Sequence, residues 1–349
     1  MRIFLTGAAG LIGGEMAARL TAAGHGVVGL VRAKTDVYAN DGTHVPAAGF
    51  AGDGPAAAQM LVVQGDVSRP DLGLPPDVIQ ALIAQTDLVL HCAAITAFDA
   101  DAARYDAVNV RGTAHVRALF ENARFLHVST AYVCGKRDGE IAEVPHDAQA
   151  SFANGYEASK AAAETIIHGA GGRYVIARPS IVIGAHACGT IRSFDTIYAL
   201  LRLIAHGRIP VIPLRANCSL DFVPINHVAG GLMDIISNWD QAAGDTIHLS
   251  SGAPVSGPNL FDAIVRFDQL DCPAIADPDV FCDSQLSPYD RRIYRRTAAH
   301  YASYFRHDPR FSVGNIARLT GRICPPVDAA ALVRMISYCI DTGFIRSVR

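Results

Sequence analysis

A glycine-rich turn, GAAGLIGG, follows directly on the first apolar run, RIFLT, and opens an Ala-rich helical stretch. It sets Gly7, Gly10 and Gly13 at a G-x-x-G-x-x-G spacing. A strand, a turn of this kind and a helix in immediate succession point to the start of a βαβ unit. Glycine permits the tight turn, close approach of the backbone to a diphosphate, and close packing of helix on strand, while the helix N-terminus offers amide donors and a positive dipole end. Taken alone, the turn could be an ordinary strand-to-helix connection. The rest of the chain repeats the rhythm, however: GVVGLVR, LVVQGDV, LVLHCAA, RFLHVST, YVIARPSIV and TIHLS alternate with helical stretches. That alternation predicts an α/β fold, a doubly wound parallel Rossmann-type sheet with helices on both faces.

The rhythm is interrupted in three places. Between Lys34 and Met60 the sequence is rich in Gly, Ala, Pro, Asn and Asp with weak periodicity, which predicts a long, mobile loop holding one short helix. After Gly184 the rhythm breaks, resumes over Val223 to Leu249, and breaks again after Phe267. Residues 1–184 plus 221–267 are therefore expected to form the nucleotide-binding domain, and 185–220 plus 268–349 a smaller, mainly helical substrate lobe. No internal repeat is present. With 50% hydrophobic and 18% charged residues, the chain can bury a sizeable core.

Composition narrows the partners. A net charge of -3 argues against nucleic acid. The apolar stretch from Ile197 to Leu214 is interrupted by Arg202, His206, Arg208 and two prolines, so it predicts an amphipathic helix and no membrane span. MRIFLTG runs straight into a strand pattern without room for a leader, which makes the cytoplasm the expected location. The eight cysteines are scattered, and the nearest pairs, Cys272 with Cys282 and Cys324 with Cys339, lack the spacing of metal or redox motifs. Structural thiols and no metal site are expected; a homo-oligomer stays open.

At the end of the second strand, where an NAD enzyme places an acid on the ribose, stand Val31-Arg32-Ala33-Lys34. A guanidinium here can grip a 2′-phosphate, which favours NADP(H) over NAD(H). A solvated strand-end arginine is the other reading, and Asp36 lies close by. Asp66 and Val67 end the third strand and are expected beside the adenine, unless Asp66 is simply a turn acid.

Tyr156 and Lys160 stand four apart in YEASK at the start of a helical run, so both project from one helix face. A cation beside the phenol would lower its pKa and suit proton exchange with a substrate oxygen. Such a pair is often only a solvated helix face; its position gives it weight. Upstream, FLHVST ends in Ser129 and Thr130 at the carboxyl edge of the sheet, where a hydroxyl can hold a substrate oxygen.

With the glycine turn, HCAA at 91–94, VNVRGT at 108–113, HVSTAYV at 127–133, YEASK and RPSIV at 178–182 resemble the extended short-chain dehydrogenase/reductases. The resemblance implies a catalytic group of Thr130, Tyr156 and Lys160, with Ser129 as the alternative hydroxyl and Asn109 in the supporting helix. It also implies cofactor contacts at Gly7, Gly10, Leu11, Ile12, Gly13, Arg32, Asp66, Val67, Ala93, Asn109, Tyr156, Lys160, Pro179, Ser180 and Ile181. Within that family, LVRAK, CAAITAFD, HVSTAYV, RPSIV and MISYCIDTGFI resemble the thioester reductase and fatty acyl-CoA reductase branch. This implies an NADPH-dependent reductase of an acyl thioester, carried on CoA or a phosphopantetheine arm, or of a related apolar carbonyl compound. The region 35–60 lacks the charged helix of that branch, and a stand-alone reductase without a carrier or adenylation module is expected.

Other residues carry weaker signals. Thr96 and His186 are candidate substrate contacts, His186 and Cys188 lying after RPSIV at the expected cleft mouth. His91 and His127 sit in apolar strands and read as core or supporting groups. Arg291, Arg292, Arg295, Arg296, Arg306 and Arg310 suggest a basic patch for the phosphates of a thioester carrier, or a solvated helix face. Rival functions on the same scaffold are a steroid- or flavonoid-like ring ketone reductase, a sugar-nucleotide epimerase, and an NADP(H)-sensing binding protein.

Overall fold

The computed structural model describes residues 1–346 apart from 34, 269, 297, 298 and 300, and apart from the side chain of Arg296. Eight strands form one sheet: β1 (Arg2–Thr6), β2 (Gly26–Val31), β3 (Ala48–Gly49), β4 (Met60–Gln64), β5 (Leu88–His91), β6 (Arg124–Val128), β7 (Tyr174–Pro179) and β8 (Thr246–Leu249). Their order is β8-β7-β6-β5-β1-β2-β4-β3, and every neighbouring pair is parallel. Ile3 of β1 lies opposite Val27 on one side and Leu88 on the other. The chain reverses direction across the sheet at β1, so the connections after β1 and β5 diverge and leave a crevice at their carboxyl ends.

The strands are apolar on both faces because both are covered. Phe4, Val28, Leu61, Val89, Phe125 and Ile176 point to one side, while Ile3, Leu5, Val27, Leu88, Leu126 and Val175 point to the other, as the two-residue period of a strand requires. Four helices dominate the flanks: α1 (Leu11–Ala22), α2 (Arg111–Leu119), α3 (Gly155–Ala170) and α4 (Ile225–Ser237). α1 packs with α4, and α2 with α3. Arg178 of β7 is locked to Glu164 of α3 by two hydrogen bonds, Nε to Oε1 at 2.9 Å and Nη2 to Oε2 at 2.6 Å. Both side chains are buried.

The segment 34–60 departs from expectation. It contains no helix among the described residues but a hairpin, Val37–Tyr38 with His44–Val45, and then the edge strand β3. Buried Asn40 fastens it: its Nδ2 donates to the Thr190 carbonyl at 2.8 Å, and its backbone N–H to Glu15 of α1 at 3.0 Å. Two-residue strands are too short to leave a hydrophobic period in the sequence.

A second apolar core gathers helices Ile197–Ala205, Gly257–Ile264 and Ala329–Asp341 through Leu201, Ile204, Leu260, Phe261, Leu332 and Ile336. Strand Val211–Pro213 pairs with Ala274–Ala276, and Pro309–Phe311 with Gly139–Ile141. Ile316, Leu319 and Cys324, by contrast, pack into the core of the large sheet. Among the described residues no helix is long and apolar enough to cross a membrane, and no group of His, Cys, Asp and Glu is arranged to hold a metal.

Candidate active site

The turn after β1 is shaped by its glycines. Gly7 has φ +69°, and a Cβ there would meet the Ala93 backbone nitrogen at 2.8 Å. A Cβ on Gly13 would stand 2.1 Å from the Gly7 carbonyl oxygen. Any side chain at either place would push the turn away from β5 or from its own helix, so the crevice depends on glycine here. The crevice holds a cavity of about 560 Å³ lined by Gly7, Ala9, Gly10, Arg32, Asp66, Val67, Ala93 and Ile95. A backbone cradle, a strand-end guanidinium and an apolar floor fit a dinucleotide.

Arg32 borders this cavity, whereas Lys34 lies outside the described residues. Asp66 sits across from it; burial alone would raise the carboxyl pKa, but hydrogen bonding from Ser68 and the charges of Arg32 and Arg69 hold it below the usual range.

A second cavity of about 280 Å³ continues from the glycine turn over the ends of β6 and β7. Leu11, Ile12, Gly13, Thr96, Ser129, Thr130, Tyr156, Pro179, Ser180 and Ile181 line it. Thr130 ends the β6 strand run and caps a 3-10 turn, accepting from the Tyr132 N–H at 3.3 Å. Tyr156 rises from the first turn of α3, whose N-terminus is capped by Asn154. The Tyr156 phenol is pushed up from its ordinary pKa by burial, partly offset by a hydrogen bond with Thr130. It holds its proton at neutral pH. Ser129 also lines the cavity, and its buried hydroxyl has no partner among the described residues.

Lys160 corrects one expectation. Four residues on from Tyr156, it does share the helix face, but its ammonium turns under the helix to the Val128 carbonyl at 2.8 Å and His127 Nε2 at 3.2 Å. Desolvation brings its pKa down to about 8. Lys160 is absent from the influences on the Tyr156 phenol, which is raised and not lowered.

Asn109 likewise lines neither cavity. It lies in a π-helical turn, Asp106–Val110, a local widening that recurs at functional sites. Its side chain accepts from the Ile95 N–H at 2.8 Å and donates to the Ile95 carbonyl at 3.0 Å and to Ser159 Oγ at 2.8 Å. It thus ties the loop after β5 to α3. His186 is also outside the cleft: it bonds the Asn226 side chain and the Pro326 carbonyl, while Cys188 contacts Thr190.

The basic run does not form one face. Arg291 is spent on the carbonyls of Asp283, Ser284 and Leu286, Arg295 on Asp283, and Arg310 on Asp308. Arg292 is exposed, and the Arg296 side chain lies outside the described residues. Among the described side chains of the run, Arg306 joins a separate cavity of about 610 Å³, with Lys136, Arg215, His307 and the acid Asp279. Between it and the cleft stands Tyr304, whose hydroxyl donates to buried Glu157 at 2.7 Å.

Several site residues left no signal in the sequence. Phe98, Tyr132, Tyr304, Ser193, Asp195 and Thr196 all line the catalytic cavity. Thr196 has φ +50°, a conformation that costs a threonine energy and is kept only where packing imposes it. Arg192 reaches over the glycine turn to the Gly10 carbonyl at 2.7 Å. Phe98 and Tyr132 stand in the CAAITAFD and HVSTAYV runs, whereas Ser193, Asp195, Thr196 and Tyr304 belong to no spaced motif and meet them because 190–196 and 304 fold back over the sheet.

A profile of the family described as Male sterility protein matches residues 5–232. A linear gramicidin synthase of Brevibacillus parabrevis is 23% identical over 83% of the chain, which spans only 6% of that synthase. A 4-hydroxy-2-methyl-3-oxo-4-farnesyl-3,4-dihydroquinoline-1-oxide ketoreductase of Stigmatella aurantiaca is 31% identical over 73% of the chain and 70% of its own length. Among solved structures, the terminal R domain from the myxalamid PKS-NRPS biosynthetic pathway superposes with a TM-score of 0.76 at 21% identity, covering 100% of this chain and 92% of that one.

Proposed function

The chain belongs to the Male sterility protein family of NAD(P)-binding oxidoreductases, and from that premise we propose that it reduces an acyl thioester with NADPH. The observation that carries this reading is the meeting of Thr130 and Tyr156 at the junction of the dinucleotide crevice and an apolar cleft. NADPH in the crevice would supply hydride to a carbonyl carbon. Arg32 at the strand end would select it over NADH by pairing with the 2′-phosphate.

The chain's own residues would manage the oxygen. Thr130 and Tyr156 donate hydrogen bonds to the carbonyl as it gains negative charge, and Tyr156, kept protonated by burial, passes its proton to it. Asn109, through Ile95 and Ser159, keeps the loop and α3 in register. The hemithioacetal so formed expels its thiol to leave an aldehyde. Phe98, Tyr132 and Tyr304 exclude water around the acyl group.

Two features support a thioester carried on a phosphorylated arm. An R domain of a PKS-NRPS pathway superposes on the whole chain, and the cationic cavity of Lys136, Arg215 and Arg306 adjoins the cleft beyond Tyr304. Residues 185–220 and 268–349 would be the substrate lobe, and the cytoplasm the working compartment. The ketoreductase relative, matched over most of its length, favours a second reading in which the same residues reduce a ring ketone.

NADPH oxidation measured against acyl-CoA thioesters, aldehydes and cyclic ketones decides between them, with NADH and Tyr156→Phe as controls. Thioester-dependent turnover lost in Tyr156→Phe is expected. Turnover with cyclic ketones alone would replace the thioester reading with the second one.

A further inference from the structure

Lys160 is only 1% exposed, yet among the described residues no carboxylate accepts from its ammonium. Its partners are a backbone carbonyl and one side chain, His127, 33 residues earlier on β6. Glu164, four residues on along the same helix, is engaged by Arg178, though its charge still raises the Lys160 pKa against the larger effect of burial. An ammonium that donates to Nε2 requires that nitrogen to be unprotonated, so the His127 ring must be neutral with its proton on Nδ1.

Everything around the ring enforces that state. His127 is fully buried and stacks on His91 with ring centroids 5.4 Å apart. His91, from β5, is itself pinned between Thr6 at 2.8 Å and Thr113 at 3.0 Å. Burial drives the pKa of His91 down to about 3 and that of His127 well below normal, with the Lys160 charge adding to both. Cys92, just after β5, stays a thiol, pushed up to about 12 by burial, and His168 on α3 adds only a weak repulsion to His127. His127 Nδ1 has no partner among the described residues.

We propose that His127 is a positioning residue for Lys160: its neutral Nε2 anchors the ammonium beneath α3 without supplying a countercharge. An acid in its place would neutralise the cation and raise its pKa, whereas a purely apolar residue would remove one of two anchors and favour the uncharged amine. The imidazole holds Lys160 in place and charged through neutral pH. The inference rests on the proposed reduction and on the catalytic part for Lys160 that the family resemblance implies.

The test begins with the intact protein and its pH profile. His127→Phe should shift the alkaline limb of kcat/KM for NADPH oxidation about one pH unit lower, the loss of one hydrogen bond to a charged group. His127→Gln, which restores an acceptor, should move the limb back toward wild type. A folded, NADPH-binding His127→Phe with an unmoved limb overturns the proposal. Should that variant fail to fold, nitrogen-15 NMR of histidine-labelled wild type decides, with His127→Gln identifying the signal. A neutral ring with unprotonated Nε2 at pH 7 is expected, and a proton on Nε2 overturns the inference. Full turnover in Lys160→Met would instead sink the reading of Lys160 itself, a different result from either.

Discussion

Lys160 and His127 meet 3.2 Å apart beneath the catalytic helix, two basic side chains of which only one carries charge. Burial lowers the lysine from an ordinary value of 10.5 to about 8, so between these values the unfolded chain binds a proton that the native one does not. Stability must therefore rise with pH through this window, and the cost of burying the charge is fully present below pH 8. Wild-type unfolding free energy, measured by urea titration, should gain on the order of 2–3 kcal/mol from pH 8 to 10.5 relative to Lys160→Met. Parallel curves for the two proteins would show that Lys160 titrates normally.

The two hydroxyls at the end of β6 are separable. Thr130 offsets part of the rise in the Tyr156 pKa, while the Ser129 hydroxyl is unpaired among the described residues. Thr130→Val should lower kcat roughly 100-fold and Tyr156→Phe roughly 1000-fold, both with NADPH affinity retained. Ser129→Ala should cost less than about fivefold in steady-state kinetics. A larger loss in Ser129→Ala than in Thr130→Val would exchange their roles.

Arg32→Ala should weaken NADPH binding about 10- to 100-fold, the worth of charge-assisted bonds to a phosphate, and leave NADH binding almost unchanged. Fluorescence titration of both cofactors measures it. Equal losses would mean that Arg32 supports the crevice without reading the 2′-phosphate.

Lys136 and Arg306 make no ion pair among the described residues, and both face the cavity beyond Tyr304. The double reversal Lys136→Glu with Arg306→Glu should raise KM for a CoA thioester about tenfold or more and spare an N-acetylcysteamine thioester. Equal KM values for both substrates would remove this cavity from substrate binding.

The bidentate pair between Arg178 and Glu164 predicts a purely structural effect. Glu164→Gln leaves a guanidinium buried without its countercharge and should cost about 3–5 kcal/mol in denaturant unfolding. Cofactor affinity at low temperature, where the variant remains folded, should be little changed.

How much of this was legible in advance varies with the range of the interaction. Seven of the eight sheet strands, the glycine turn and the Tyr156–Lys160 helix could be read because each depends on neighbours within a few residues, which leave a period or a spacing. The hairpin at 37–45 and edge strand β3 were missed, since two-residue strands have no period. The partners of the basic run were out of reach for a related reason: charges adjacent in sequence pair separately with Asp283 and Asp308.

Sequence by itself determined the parallel sheet, the crevice at Gly7 and Gly13, and the presence of Thr130, Tyr156 and Lys160, because backbone conformation and helix periodicity are local properties. Tertiary structure alone decided that Lys160 turns toward His127 and Val128, that Asn109 acts through Ile95, and that Tyr304 closes the cleft. Each of these depends on which buried polar group finds a partner, and that is settled only when strands and helices distant in the chain are packed together.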